Sequence, residues 1–431
     1  MANNFKWVNS TTLNGTLWDN GTLSSASPIT QTGTLTISDD YYDKYLNTQL
    51  NNTGTIEFQA GKIVNDYDDS IIGTLNNSGT FKKTTTNTAT IDVAFNNTGT
   101  VNVESGTLVP AGGGVNSGTF NITSGKTLEI NDSVYSFTNA AKINGSGKFL
   151  ISGGTLKADG NWTLAALASN WIGGTFESAN IITNSGYLTI GRGYGYYDYK
   201  YLNTQLNNTG TIEFQTGEIV NDDDDTIIGT LNNSGTFKKT TADTATIGVA
   251  FNNTGTVNVE AGTLVLSGGG VNSGTFNITS GKTLEINDSV YSFTNAAKIN
   301  GSGKFLISGG TLKADGNWTL AALASNWIGG TFESANIITN SGYLTIGRGY
   351  GYYDYKYLNT QLNNTGTIEF QTGEIVNDDD DTIIGTLNNS GTFKKTTADT
   401  ATIGVAFNNT GTVNVEAGTL VLSGGGVNSG T

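Results

Sequence analysis

The chain has 431 residues, 13% of them charged, a formal net charge of −15, and neither Cys nor His. Excess acid disfavours nucleic acid, which is held by neutralising phosphates with Lys and Arg. Missing Cys and His exclude disulfides, zinc–thiolate sites, thiol catalysis and the usual general base.

The start, MANNFKWVNSTTLNG, has no apolar signal-peptide core, and no later window reaches the ~20 apolar residues of a membrane helix. Membrane insertion is therefore not expected. Trp7 and Trp18 fall in this thin opening segment, where they are expected to shield the first coil.

From Asn52 a motif recurs: Asn-x-Gly-Thr followed by alternating apolar residues. It reads Asn52-Thr-Gly54-Thr-Ile56-Glu-Phe58, then Asn77-Ser-Gly79-Thr-Phe81, then Asn97-Thr-Gly99-Thr-Val101-Asn-Val103. Asn and Gly suit a tight corner with positive φ, and Thr, Val, Ile and Phe suit the strand that follows. Alternation places Ile56 and Phe58 on one face and Thr55 and Glu57 on the other. A turn–strand unit of about 20–22 residues predicts one coil of a right-handed parallel β-solenoid, with Asn ladders at corners and Thr rows outside. Coils stacked at ~4.8 Å give a rod on the order of 90–100 Å for roughly 20 coils.

Runs such as FNNTGTVNVESGTLVPAGGGVNSGTFNITSGKTLEI (Phe95–Ile130) resemble the repeats of large bacterial secreted surface proteins. These are the filamentous-haemagglutinin-like and autotransporter-passenger-like adhesins. The resemblance covers nearly the whole chain through low-complexity motifs, so it carries over an architecture and no functional residue. It implies an extracellular or cell-surface location.

Between the first two motifs lies an acidic loop, Asn65-Asp66-Tyr67-Asp68-Asp69-Ser70. Its later copies are Asn221 with Asp222, Asp223, Asp224 and Asp225, and Asn377 with Asp378, Asp379, Asp380 and Asp381. Clustered carboxylates beside an amide oxygen suit Ca²⁺, although neither an EF-hand loop nor a Gly-Gly-x-Gly-x-Asp repeat is present. A solvated acidic loop is the plainer reading. Trp162 and Trp171 flank Thr163–Ser169, about two helical turns long, which reads as a short excursion or a stacked strand. Both tryptophans are expected in the core.

From Trp171 onward the chain repeats with a period of 156 residues: Gly191–Thr275 recurs unchanged as Gly347–Thr431. The organisation is a single continuous solenoid over 1–431, with copies at 18–170, 171–326 and 327–431 after a degenerate start at 1–17. The later copies carry a tyrosine loop three residues longer than its first-copy counterpart. Tyr194, Tyr196, Tyr197, Tyr199 and Tyr201 crowd around Arg192, Asp198 and Lys200, and return as Tyr350, Tyr352, Tyr353, Tyr355 and Tyr357. Tyrosines in a protruding loop give amphipathic contact area at low entropic cost. A tyrosine row closing the loop onto the solenoid is the alternative.

No singular pair of carboxylates stands out, and identical copies would multiply an active site, so an enzyme is not expected. No organic cofactor is implied. The reading is an extracellular structural and adhesive rod, stalk or fibre; a glycan-binding or glycan-cleaving β-helix is the alternative. The motif is cut at Thr431, which suggests a piece of a longer protein or ends that self-associate into fibres.

Overall fold

The computed structural model describes the chain except residues 1–11, 39–40, 67–70, 166–167, 194–197, 223, 225, 322–323, 350–353 and 379–381. Short four-residue strands follow one another because each alternating tetrapeptide buries two side chains and exposes two, and each ends at a Gly- or Asn-containing corner. Thr55–Phe58, Thr80–Lys83 and Thr100–Val103 all show this inward–outward alternation. Such a strand cannot bury its apolar face alone, so it stacks on the equivalent strand of the next coil.

Three strands make one coil. Gln49–Asn52, Thr55–Phe58 and Gly61–Val64 are followed by Thr74–Asn77, Thr80–Lys83 and Thr88–Ile91 on the same three faces. Every pairing is parallel and the motif residues stay in register: Asn52 with Asn77, Asn77 with Asn97, and Thr55 with Thr80 and then Thr100. The fold is thus an all-β parallel solenoid, with about 18 turns and no helix among the described residues. The count agrees with the expected roughly 20 coils. The contacts group into two compact units, Met1–Ile212 with Val220–Gly229, and Glu213–Ile219 with Thr230–Thr431.

Inside each unit the core is a set of vertical columns. Ile56, Phe81, Val101 and Phe120 form one, all fully buried, and Leu50, Leu75 and Phe95 form another. Beside the apolar columns runs an inner asparagine ladder. Asn52, Asn77 and Asn97 each donate Nδ2 to Oδ1 of the next rung, ending at Asn116, at 2.6, 2.7 and 2.7 Å. Partnered in this way, buried amides are retained at little cost. On the next rung Asn116 meets Phe137, and the ladder gives way to aromatic packing. Trp162 stacks on Phe137 at 4.6 Å between ring centroids, and Trp171 on Phe176 at 4.2 Å. A new ladder starts at Asn184, opposite Leu164. The second copy repeats the switch with Phe293, Trp318 and Trp327, and its ladder restarts at Asn340.

The motif glycines depart from the expected reason for their presence. Gly54, Gly79, Gly99 and Gly118 do not have positive φ. They are required because successive corners pack backbone on backbone: a Cβ on Gly79 would collide with the carbonyl oxygen of Gly54, and one on Gly99 with that of Gly79. The corner amides point the same way, Ser78 and Gly79 both donating to the Asn52 carbonyl at 2.9 and 3.0 Å. The stretch after Trp162 forms the strands Trp162–Leu164 and Ser169–Trp171, the stacked-strand alternative.

Candidate functional site

The acidic loop is an insertion at one corner of a coil, and asparagines on either side of it fix its base. Asn65 Oδ1 accepts the Gly73 amide at 2.6 Å, and Asn47 Oδ1 accepts the Asp66 amide at 3.2 Å. Later copies keep both contacts: Asn221 with Gly229 and Asn203 with Asp222, then Asn377 with Gly385 and Asn359 with Asp378. The amide oxygen that made Asn221 and Asn377 attractive as cation ligands therefore already closes the loop. Asp222 is half-buried and Asp224 exposed, the Asp224 amide donating to Asp222 Oδ1 at 3.3 Å. Asp223, Asp225, Asp379, Asp380 and Asp381 lie outside the described residues. Among the described residues no group of three Asp, Glu, Cys or His could hold a metal ion. Just past the acids, Ile72, Ile228 and Ile384 stand 76–77% exposed at the same place in every copy.

The tyrosine loop feeds the strands Tyr199–Asn208 and Tyr355–Asn364. Tyr199 and Tyr201 share the outward face as their spacing predicts, with ring centroids 6.4 Å apart, and Tyr355 and Tyr357 do the same. Tyr194, Tyr196, Tyr197, Tyr350, Tyr352 and Tyr353 lie outside the described residues. Lys200, which the tyrosines crowd around in sequence, and its repeat Lys356 point inward and are fully buried. Each Nζ pairs with a loop carboxylate, Lys200 with Asp198 and Lys356 with Asp354. Burial pulls both lysines below their ordinary pKa, while the hydrogen bond and charge of the aspartate oppose that shift. The same carboxylates accept the Gly193 amide at 2.7 Å and the Gly349 amide at 2.8 Å, so one buried ion pair ties the loop to the coil.

Beside the third-copy loop the surface dips into an open, polar depression of about 440 Å³. Three neighbouring strands supply it: Tyr355 pairs with Glu374, and Glu374 with Thr402. Arg348, Asp354 and Asp399 complete a rim of mixed charge around the exposed Tyr355. A smaller depression of about 300 Å³ marks the first copy, where Asp43, Tyr45, Lys62 and Asp92 stand. Here Lys62 occupies the place of Glu374, so the position is shared while its charge is not. Sequence reading missed this grouping because its members come from separate coils; only strand register brings them together.

A second set of buried lysines, Lys83, Lys239 and Lys395, closes the Thr-Phe-Lys-Lys strand of the motif coil. Each Nζ curls back to the carbonyl two residues on, that of Thr85, Thr241 or Thr397. Burial pushes Lys83 and Lys239 down to about 8. These amines hold corners together and face no surface ligand. The tryptophans likewise serve packing: Trp162 and Trp318 are buried and donate Nε1 to the Ala141 and Ala297 carbonyls at 3.1 and 3.2 Å.

No helix among the described residues is long and apolar enough to cross a membrane. Comparison with protein-family models, with curated proteins and with solved structures finds no match to this chain.

Proposed function

We propose that the chain is a structural segment of an extracellular, bacterial surface protein: a stalk or fibre that carries tyrosine loops as repeated contact points. One observation carries this reading. Along each ladder among the described residues, as at Asn52, Asn77 and Asn97 or Gly79 and Gly99, the asparagine side chain and the corner glycine pack on the equivalent residue of the neighbouring coil, so the recurring motif is spent on stacking. Among the described residues that face solvent are Tyr199 and Tyr355, Asp224, and Ile72, Ile228 and Ile384, from features that recur once per 156 residues. Repetition of a contact raises avidity without new chemistry at any one site. The reading treats the protein as non-catalytic and the ends as able to self-associate.

Deleting one 156-residue copy tests the structural half: circular dichroism and melting should stay close to the parent, while particle length in electron micrographs drops by one fixed increment. Loss of folding on deletion would sink it. Replacing Tyr199, Tyr201, Tyr355 and Tyr357 by Ser tests the adhesive half. Adhesion to host cells should fall with the fold intact, and unchanged adhesion removes the tyrosines from the proposal.

The depression beside Tyr355 favours a second reading, a glycan-binding β-helix, because an exposed aromatic ring flanked by carboxylates and an arginine offers partners for a sugar's apolar face and its hydroxyls. Glu374→Gln together with Asp399→Asn, which leaves the Asp354–Lys356 pair in place, should then abolish glycan capture, an effect the stalk reading does not predict. For the acidic loops we propose Ca²⁺ as ligand; millimolar Ca²⁺ should raise Tm, and an unchanged Tm with no calorimetric heat ends that idea.

A further inference from the structure

The sequence contains twenty Asn-x-Ser/Thr triplets, none with proline between. This triplet is the acceptor signal for N-linked sugar, and it is usable only where asparagine and hydroxyl face solvent together. The solenoid sorts its asparagines by that criterion. Among the described residues sixteen asparagines are buried, Asn52, Asn77 and Asn97 among them, and not one has Ser or Thr two residues on. Conversely, no triplet asparagine among the described residues is buried, and neither is any of the partnering hydroxyl residues.

Strand geometry explains the sorting. Residues two apart point to the same side, so an outward asparagine carries its hydroxyl partner outward with it, as in Asn51 with Thr53. An inward asparagine such as Asn52 has the corner glycine at that place.

Asn161 and Asn317 are the best presented. Each is exposed, with Thr163 or Thr319 exposed beside it and a buried tryptophan between. Their Oδ1 atoms are held by the Ile181 and Ile337 amides at 3.1 and 3.0 Å, which fixes the side chain through its oxygen and leaves Nδ2 for chemistry. We propose that the outward triplets, foremost Asn161 and Asn317, are acceptors for N-linked sugar. In the transfer, Nδ2 attacks the anomeric carbon of a sugar activated as a phosphate ester. The C–N bond forms, the C–O bond to phosphate breaks, phosphate leaves with the electron pair, and Nδ2 gives one proton to a base of the transferring enzyme. The product keeps Oδ1 and one N–H, so even outer-ladder contacts such as Asn76 to Asn51, 2.9 Å, survive the modification. This inference rests on side-chain orientation and is independent of whether the tyrosine loops adhere.

The test is peptide mass spectrometry of the full chain purified from the cells that naturally make it. Peptides holding Asn161 and Asn317 should carry whole-sugar increments, and those whose only asparagines are inward should carry none. The double variant Thr163→Ala with Thr319→Ala keeps both asparagines; it should lose the increments at those two sites alone, with an unchanged circular dichroism spectrum. Unmodified Asn161 and Asn317, sugar confined to Ser and Thr, sugar on inward asparagines, or increments that persist in the double variant would each overturn the proposal.

Discussion

Asn52 reaches Asn77 across 25 residues of sequence: its Nδ2 donates to Asn77 Oδ1 at 2.6 Å, with both side chains buried. Asn77 then passes the same bond to Asn97. Asn77→Ala removes the middle rung and leaves a donor on one side and an acceptor on the other. The expected cost is about 2–4 kcal/mol, set by the two stranded groups more than by the lost bonds. Solenoid coils open locally, so amide exchange at Thr80 and Thr100 is the direct measurement. Exchange that stays at the parent rate would show that the ladder is dispensable.

Corner glycines separate close approach from backbone handedness. Gly79 has ordinary φ, but a Cβ there meets the Gly54 carbonyl; Gly125 has φ of 72° with nothing within 4 Å. Gly125→Ala should cost about 1–2 kcal/mol, the price of a left-handed alanine. Gly79→Ala requires two coils to move apart and should be the more damaging in a urea titration. Equal losses would mean that the corners are more yielding than their packing indicates.

Much of this architecture is legible in the residues themselves, because each coil states its own rule. Asn-x-Gly-Thr marks a corner and the alternation after it names the inward side chains, so Ile56, Phe58 and Phe81 could be placed in the core at once. Lys83 could not. Lysines are ordinarily exposed, yet strand parity sends Lys82 out and Lys83 in, where Nζ finds the Thr85 carbonyl. Charge is the wrong signal there and parity the right one. Lys200 obeys the same parity, pointing inward between outward Tyr199 and Tyr201. The depression around Tyr355 has no local signature, since Arg348, Glu374 and Asp399 meet only through register.

Trp162 is buried against Phe137 and anchors the place where the asparagine ladder ends. Trp162→Ala should open a cavity at a rung with no ladder bond to compensate, costing about 3–5 kcal/mol. Trp162→Phe should retain most of the stacking at a far smaller loss. Tryptophan fluorescence during denaturation, compared with the matching Trp318 variants, would check this. Similar losses for the two substitutions would argue against ring stacking as the stabilising contact.

The buried lysines make stability depend on alkaline pH in an unusual direction. Lys83 and Lys239 titrate near 8 in the fold because burial penalises the cation, against 10.5 for an ordinary lysine. Below pH 8 both folded and unfolded chains hold the proton, and the fold bears the full cost of the buried charge. Between 8 and 10.5 the unfolded chain still binds protons that the folded chain has released, so stability rises with pH. The gain is about 1–3 kcal/mol per lysine. Other lysines and tyrosines also lose protons over this range and add negative charge, which works against it. The double variant Lys83→Met with Lys239→Met isolates the effect: the difference in unfolding free energy between parent and variant should move in the parent's favour from pH 7.5 to pH 10. Parallel curves would mean that these amines reach water and that their burial carries no charge penalty.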